Sequence, residues 1–180
     1  MIQKYSLAVK FAPCCGILIH FVQMCGHLHF LVKVVDVAAV RPMRNAVLWP
    51  HKESPDACVI PEDHLPNTRH LAAFNHAGVI VGVCSLFCQR SARFPAAIPA
   101  EEAVYRLRVM GTAPEVRGHG AGAALITKAC EEAKGLGADW LWCDARQIAL
   151  GFYDRMGFKF LSETYEVPEI GPHRMMARRL

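Results

Sequence analysis

Leu107-Arg108-Val109-Met110-Gly111-Thr112-Ala113-Pro114 is followed, two residues later, by Arg117-Gly118-His119-Gly120-Ala121-Gly122. The apolar alternation from Val104 to Thr112 predicts a strand. In a regular pleat Tyr105, Leu107 and Val109 share one face, and Arg106, Arg108 and Met110 the other. Beyond Pro114, a helix is expected from about Gly120 to Lys134, closed by Gly135. Three glycines in five positions at a helix start leave backbone N–H groups open and let a bulky anion approach closely. The helix dipole adds partial positive charge at that point, and Arg117 a full one. A pyrophosphate suits such a place; a glycine-rich turn without a ligand is the plainer alternative.

Two phosphate loops can be tested against this stretch. It lacks the Gly-Lys-Ser/Thr that grips a β/γ-phosphate with magnesium. Gly118-x-Gly120-x-x-Ala123, with Asp144 further on, imitates a dinucleotide fingerprint. That fingerprint leaves its strand almost directly, whereas Ala113 to Arg117 intervene here. Only about sixty residues remain to build the βαβ series it should open. A nicotinamide-dependent enzyme is therefore a minor alternative.

Working outward, Leu28 to Val35 predicts a first strand and Val37 to Leu48 an amphipathic helix that runs through Pro42. Prolines 50, 55, 61 and 66 make 49–68 a loop. Leu71 to Phe74 and Val79 to Phe87 read as strands flanking the turn Asn75-His76-Ala77-Gly78. Trp140 to Cys143 reads as a short buried strand and Gln147 to Met156 as a helix capped by Gly157. Phe158 to Val167 and His173 to Arg179 read as further strands. The expectation is one mixed α/β domain, a central, mostly antiparallel mixed sheet flanked by helices.

The chain has 180 residues, 53% hydrophobic and 20% charged. One domain of that length buries roughly 70% of its unfolded surface without disulfides or metal. Disordered and collagen-like classes are excluded. A net charge of +4, with no basic run interleaved with aromatics, suits a small anionic ligand and argues against nucleic acid. The eight cysteines form no C-x-x-C pair, so no metal site is expected, and a reducing, cytoplasmic setting is. Residues 11–32 carry no Asp, Glu, Lys or Arg, but Pro13, Gly16, His20, Gln23, His27 and His29 interrupt them. Neither a membrane span nor a signal peptide is expected there. Residues 1–27 are read as a poorly ordered or peripheral extension, with Met24 as an alternative start, and 28–180 as the functional domain.

The run from Leu107 to Pro114 leading into Arg117-x-x-Gly120-x-Gly122 resembles the acetyl-CoA loop of the GNAT N-acetyltransferase superfamily. Ala149-x-x-x-Tyr153-x-x-x-Gly157-Phe158 resembles that family's second motif. The likeness is close over Val104 to Phe160 and compatible back to about Leu28. It departs at Arg146, where many members carry Asn. The resemblance implies acetyl transfer from acetyl-CoA, without a metal, to an amine on a small molecule or a protein, by direct attack in a ternary complex. It implies that backbone groups at Met110, Gly111 and Thr112 pair with the pantetheine arm. It further implies that Gly118, His119, Gly120, Ala121 and Gly122, with Arg117, cradle the pyrophosphate, and that a backbone N–H stabilises the oxyanion.

By the same resemblance Tyr153 protonates the leaving thiolate, a task that suits a phenol with a pKa near 10; core packing is its other reading. Candidates for the general base are Glu101, Glu102, His119, Asp144 and His173, none favoured by spacing. A non-catalytic acetyl-CoA-binding module is the competing function, and late apolar strands leave room for a homodimer. Arg106 and Arg108 either bind a carboxylate or phosphate on the acceptor or cover a sheet face with their stems. On the first reading Arg108→Ala raises KM for the acceptor far more than KM for acetyl-CoA; equal changes in the two would exclude a substrate contact.

Overall fold

The computed structural model describes residues 29–180, and the expected extension 1–27 lies outside them. Chain order gives β1 (Leu31–Val35), α1 (Val37–Val47), β2 (Arg69–Phe74), β3 (Ile80–Phe87), β4 (Val104–Thr112) and α2 (Ala121–Gly135). Then follow β5 (Trp140–Arg146), α3 (Leu150–Arg155), β6 (Lys159–Phe160), β7 (Tyr165–Val167) and β8 (Gly171–Arg179). The sheet order is β1-β2-β3-β4-β5-β8-β6, with β7 also pairing β8. Every pairing is antiparallel except β4 with β5. The sheet is the mixed, mostly antiparallel one the pattern predicts.

Short local codes set the element ends. Asp36 caps α1 by accepting the Ala38 N–H at 2.9 Å. At the β2–β3 turn the Asn75 side chain accepts from Ala77 and Val79, and Gly78 takes the positive φ of 74°. Helix α2 ends at Gly135, the expected stop, and the left-handed turn behind it is taken by Gly137 (φ 83°), which donates to Lys134. The strand expected over 158–167 is broken into β6 and β7. Between them the Ser162 hydroxyl accepts the Met175 N–H at 2.8 Å, so a side chain replaces one ladder carbonyl.

Leu71, Cys84, Leu86, Tyr105, Leu107 and Met176 pack one sheet face against Leu125, Ile126 and Ala129 of α2. On the opposite face α1 lays Val40 over Ala72 and Val83. Beneath the second half of the sheet, Ile98 from the β3–β4 loop closes over Val104, Trp142, Met175 and Ala177.

A buried ion pair joins α1 to the proline-rich segment. Arg44, fully buried, donates to the two carboxylate oxygens of Asp63 at 2.6 and 2.8 Å, to Ser85 Oγ at 3.0 Å and to the Cys58 carbonyl at 3.2 Å. Ser85 Oγ lies 2.9 Å from His70 Nδ1. The segment read as a plain loop thus contains single 3-10 turns at Pro55–Ala57 and Pro61–His64. The second presents Asp63 inward. Burial by itself raises the Asp63 pKa, but the Arg44 bonds and the Ile60 N–H outweigh it and hold the carboxyl below its ordinary range. A carboxyl depressed in the folded state stabilises above its unfolded pKa of about 3.9, and that stabilisation is lost as pH falls through the folded value. Asp63→Asn, which leaves Arg44 uncompensated, is expected to cost about 3–5 kcal/mol in urea unfolding at neutral pH. The difference from wild type should shrink on acidification below pH ~4.

Candidate functional site

Strand β4 runs parallel to β5 only over Val104–Arg106 against Trp140–Trp142. Beyond Arg106 the two strands part, and the edge of β4 that faced β5 loses its partner. On its other side β4 stays paired with β3 as far as Thr112. In this second half Val109 takes φ 45° and the register slips between Val83 and Ser85, a β-bulge.

The extra residue reverses the alternation. Arg106 and Arg108 keep the face that Ser85 shares, as expected. Met110 does not join them: it packs with Tyr105, Leu107 and Tyr153 on the α2 side. The expected grouping of Arg106, Arg108 and Met110 is therefore corrected, because one inserted residue turns every later side chain over. Gly111 consequently faces α1, where an added Cβ would lie 2.7 Å from Val47 Cγ2 and 3.0 Å from Leu48 Cδ2.

At the end of β4 the chain makes a 3-10 turn, Pro114–Val116, and enters α2 through Arg117 to Gly120. Gly118 (φ 78°) and Gly120 (φ 97°) adopt left-handed conformations, and a Cβ on either would meet nothing within 4 Å. The exposed loop is thus glycine-rich for conformation and for approach from outside. Gly120 is the N-cap of α2 and offers no side-chain cap, so the N–H groups of the first turn are left for another acceptor. Ala121 is buried, whereas Gly122 is a packing glycine whose added Cβ would sit 3.3 Å from the Phe152 ring. Arg117 Nε donates to the Thr112 carbonyl at 3.3 Å, and His119 Nδ1 bonds the Arg117 carbonyl at 2.9 Å. Open N–H groups at a helix start beside an arginine are chemically suited to an anion.

Between the parted strands lies a cleft of about 890 Å³ lined by residues of β4, β5, β8 and the loops above them. Tyr153 reaches it from α3, with its hydroxyl 3.6 Å from Met110 Sδ and its ring edge-on to Phe152 and Phe158. Burial, followed by the neighbouring Cys143 and Cys84 thiols, pushes the Tyr153 pKa well above its ordinary value. The phenol keeps its proton at neutral pH. Burial likewise keeps Cys143 a thiol.

The opposite wall is polar. Arg106 lies over the Trp142 ring at 4.7 Å and donates to Gln89 Oε1 at 2.9 Å and to Asp144 Oδ2. Tyr165 donates to Asp144 Oδ1, and Arg93 sits 4.6 Å above its ring. Burial, then the bond to Asp144, raises the Tyr165 pKa. Arg108 is paired with Glu62, the neighbour of Asp63. Both arginines line the cleft, each already facing a carboxylate. Arg146 is exposed on the rim and bonds the Ile170 carbonyl at 3.4 Å.

Of the residues considered as general bases, Asp144 and His173 line the cleft; His119 stays in the glycine loop and Glu101 is exposed. Glu102 instead bonds Trp140 Nε1 and Arg179. Sequence reasoning missed Tyr165, Glu62, Gln89 and Arg93. Nothing in their local pattern sets them apart, since they meet the site only through the α1–β2 and β3–β4 connections and through β7. Among the described residues no group of three His, Cys, Asp or Glu side chains could hold a metal ion, and no helix is long and apolar enough to cross a membrane.

Residues 37–158 match the family model described as Acetyltransferase (GNAT) family. A curated relative, the Bacillus subtilis (strain 168) protein named "Uncharacterized N-acetyltransferase YitI", is 32% identical over 149 residues, covering 83% of this chain and 95% of its own. Escherichia coli ElaA superposes with a TM-score of 0.63 at 18% identity, over 84% of this chain and all of that one. An acyl-CoA N-acyltransferase from Pseudomonas aeruginosa gives 0.62 at 23% identity, over 84% and 99%. These two structures share the fold.

Gly111→Ala is expected to force Val47, stiff at χ1, out of place and to cost about 1–3 kcal/mol. Equilibrium urea unfolding measures it, and an unchanged midpoint would mean α1 can give way freely.

Proposed function

We propose that this chain, which belongs to the acetyltransferase (GNAT) family and is an acyltransferase, transfers acetyl from acetyl-CoA to a primary amine by direct attack in a ternary complex. The observation that carries the reading is the open edge of β4 beyond Arg106, flanked at one end by the uncapped start of α2 and at the other by Tyr153.

When bound, acetyl-CoA supplies the acetyl group on an activated thioester. Backbone groups of Met110, Gly111 and Thr112 on the open edge hold the pantetheine arm by adding it to the sheet as a strand. The N–H groups from Gly118 through His119, Gly120 and Ala121 to Gly122 hold the pyrophosphate, with Arg117 alongside. A β4 N–H at the point of parting stabilises the oxyanion. Tyr153, whose proton is secure at neutral pH, gives that proton to the departing thiolate sulfur.

The acceptor, a small-molecule or protein amine, enters along the polar wall. There Arg106 and Arg108 take part in recognising an anionic group on it. Their carboxylate partners make this an exchange of ion pairs rather than capture by free charge.

Thermal unfolding with and without acetyl-CoA tests the cosubstrate. An excess of about 100 Kd should stabilise by about 2.7 kcal/mol, a rise in Tm of roughly 5–10 °C at this chain length. Tyr153→Phe should keep that shift while lowering kcat for thiol release in the presence of amines on the order of 10²–10⁴-fold. Stabilisation without thiol release by wild type would instead favour an acetyl-CoA-binding module.

A further inference from the structure

His173 is a nearly buried imidazole, 5% exposed, whose side chain reaches the cleft from β8. Its Nδ1 lies 2.7 Å from the Gly171 carbonyl. A carbonyl only accepts, so Nδ1 carries the hydrogen and the neutral ring has its lone pair on Nε2. Among the described residues nothing bonds Nε2. The ring stacks on Tyr165, with centroids 6.3 Å apart and planes at 28°. Position, tautomer and orientation are thus all held by neighbours.

The other bases in or beside the cleft are occupied or loosely held. Asp144 receives Arg106 on one oxygen and Tyr165 on the other. Glu62 is taken by Arg108. His51 and Glu169 are exposed at the rim. The charged and titratable groups around His173 are Tyr165 on β7, Asp144 and Arg146 on β5, Glu169 in the β7–β8 turn and Arg93 in the β3–β4 loop. Asp144 is held within the Arg106–Tyr165 cluster, which leaves the imidazole free to accept a proton and pass it to water at the cleft mouth.

We propose that His173 is the catalytic base for the acceptor: its Nε2 removes the proton that the ammonium must lose before attack. This rests on the acetyl-transfer reading above and assigns a residue that the family resemblance left open. One N–H bond of the ammonium breaks and an Nε2–H bond forms. The freed nitrogen lone pair makes the new C–N bond as the C–S bond breaks. The amine nitrogen gives up a second proton as it becomes the amide, which replaces the one Tyr153 hands to sulfur. His173 releases its proton to water, so the reaction yields the amide, the free thiol and one proton.

The test compares two amine probes, ethylamine and 2,2,2-trifluoroethylamine, with acetyl-CoA and the full chain. Ethylamine is an ammonium at neutral pH and needs the base, whereas trifluoroethylamine is already neutral and needs it far less. His173→Asn retains a donor near the position of Nδ1, and His173→Gln serves as the second variant should the first fail to fold. In either, kcat/KM for ethylamine should fall on the order of 10²–10⁴-fold, with a much smaller loss for trifluoroethylamine and an unchanged acetyl-CoA thermal shift. Equal losses for both amines, or no loss, would overturn the assignment. So would a neutral ring protonated on Nε2 in 15N spectra of the wild-type protein, a measurement that needs no activity. Failure of the underlying reading looks different: wild type itself would release no thiol with either amine, and the assignment would fall with it.

Discussion

The parting of β4 from β5 is the constraint on which the rest depends. Two parallel strands that stay paired for three residues and then separate must leave backbone N–H and C=O groups without partners along the diverging edges. Such groups are costly to bury and are satisfied only by water or by a ligand that runs beside them. The separation also opens a passage through the sheet, so that Tyr153 and Met110 on the α2 side and Asp144, Tyr165 and His173 on the other wall face one cavity. A continuous sheet would have kept these two groups on opposite faces.

Keeping the strands apart requires rigid supports on both sides. The β-bulge at Val109 turns the end of β4 so that Met110 lies against Tyr153 and Gly111 against α1. The Arg44–Asp63 pair then ties α1 to the 3-10 turn that carries Glu62, and Glu62 holds Arg108. A buried ion pair contributes little net stability compared with an apolar replacement, but an unpaired member is strongly unfavourable. The pair therefore specifies one arrangement of helix, loop and strand, and so sets where the cleft floor stands.

Local signals were legible where the chemistry is local. Glycines at the start of α2 announce themselves because positive φ and close approach need residues without a Cβ. Gly157 after α3, at φ 85°, is legible for the same reason. The face carrying Arg106 and Arg108 follows from strand alternation, and the alternation fails at Val109 because nothing in a single residue's identity marks a bulge. Gly135 marks the end of α2 as expected, but the left-handed turn after it falls to Gly137. The assembly of the polar wall was not legible, although Arg106, Arg108, Asp144 and His173 were individually candidates. Tyr165, Arg93 and Asp144 come together from three separated segments, and His173 becomes distinct only when Gly171 takes one of its nitrogens.

By itself the sequence determined the mixed α/β class, the strand-to-helix passage with an anion-suited mouth, the helix bearing Tyr153, and membership of an acyltransferase family. Each of these is written in residues close together along the chain, through periodicity, glycine placement and spacing. Only the tertiary structure decided which side of β4 Met110 occupies, that Arg106 and Arg108 already face carboxylates, and that His173 keeps one nitrogen open to the cleft. Those facts depend on partners tens of residues away and on a one-residue bulge. Contacts between distant segments are set by packing, and packing is not expressed in any local pattern of the chain.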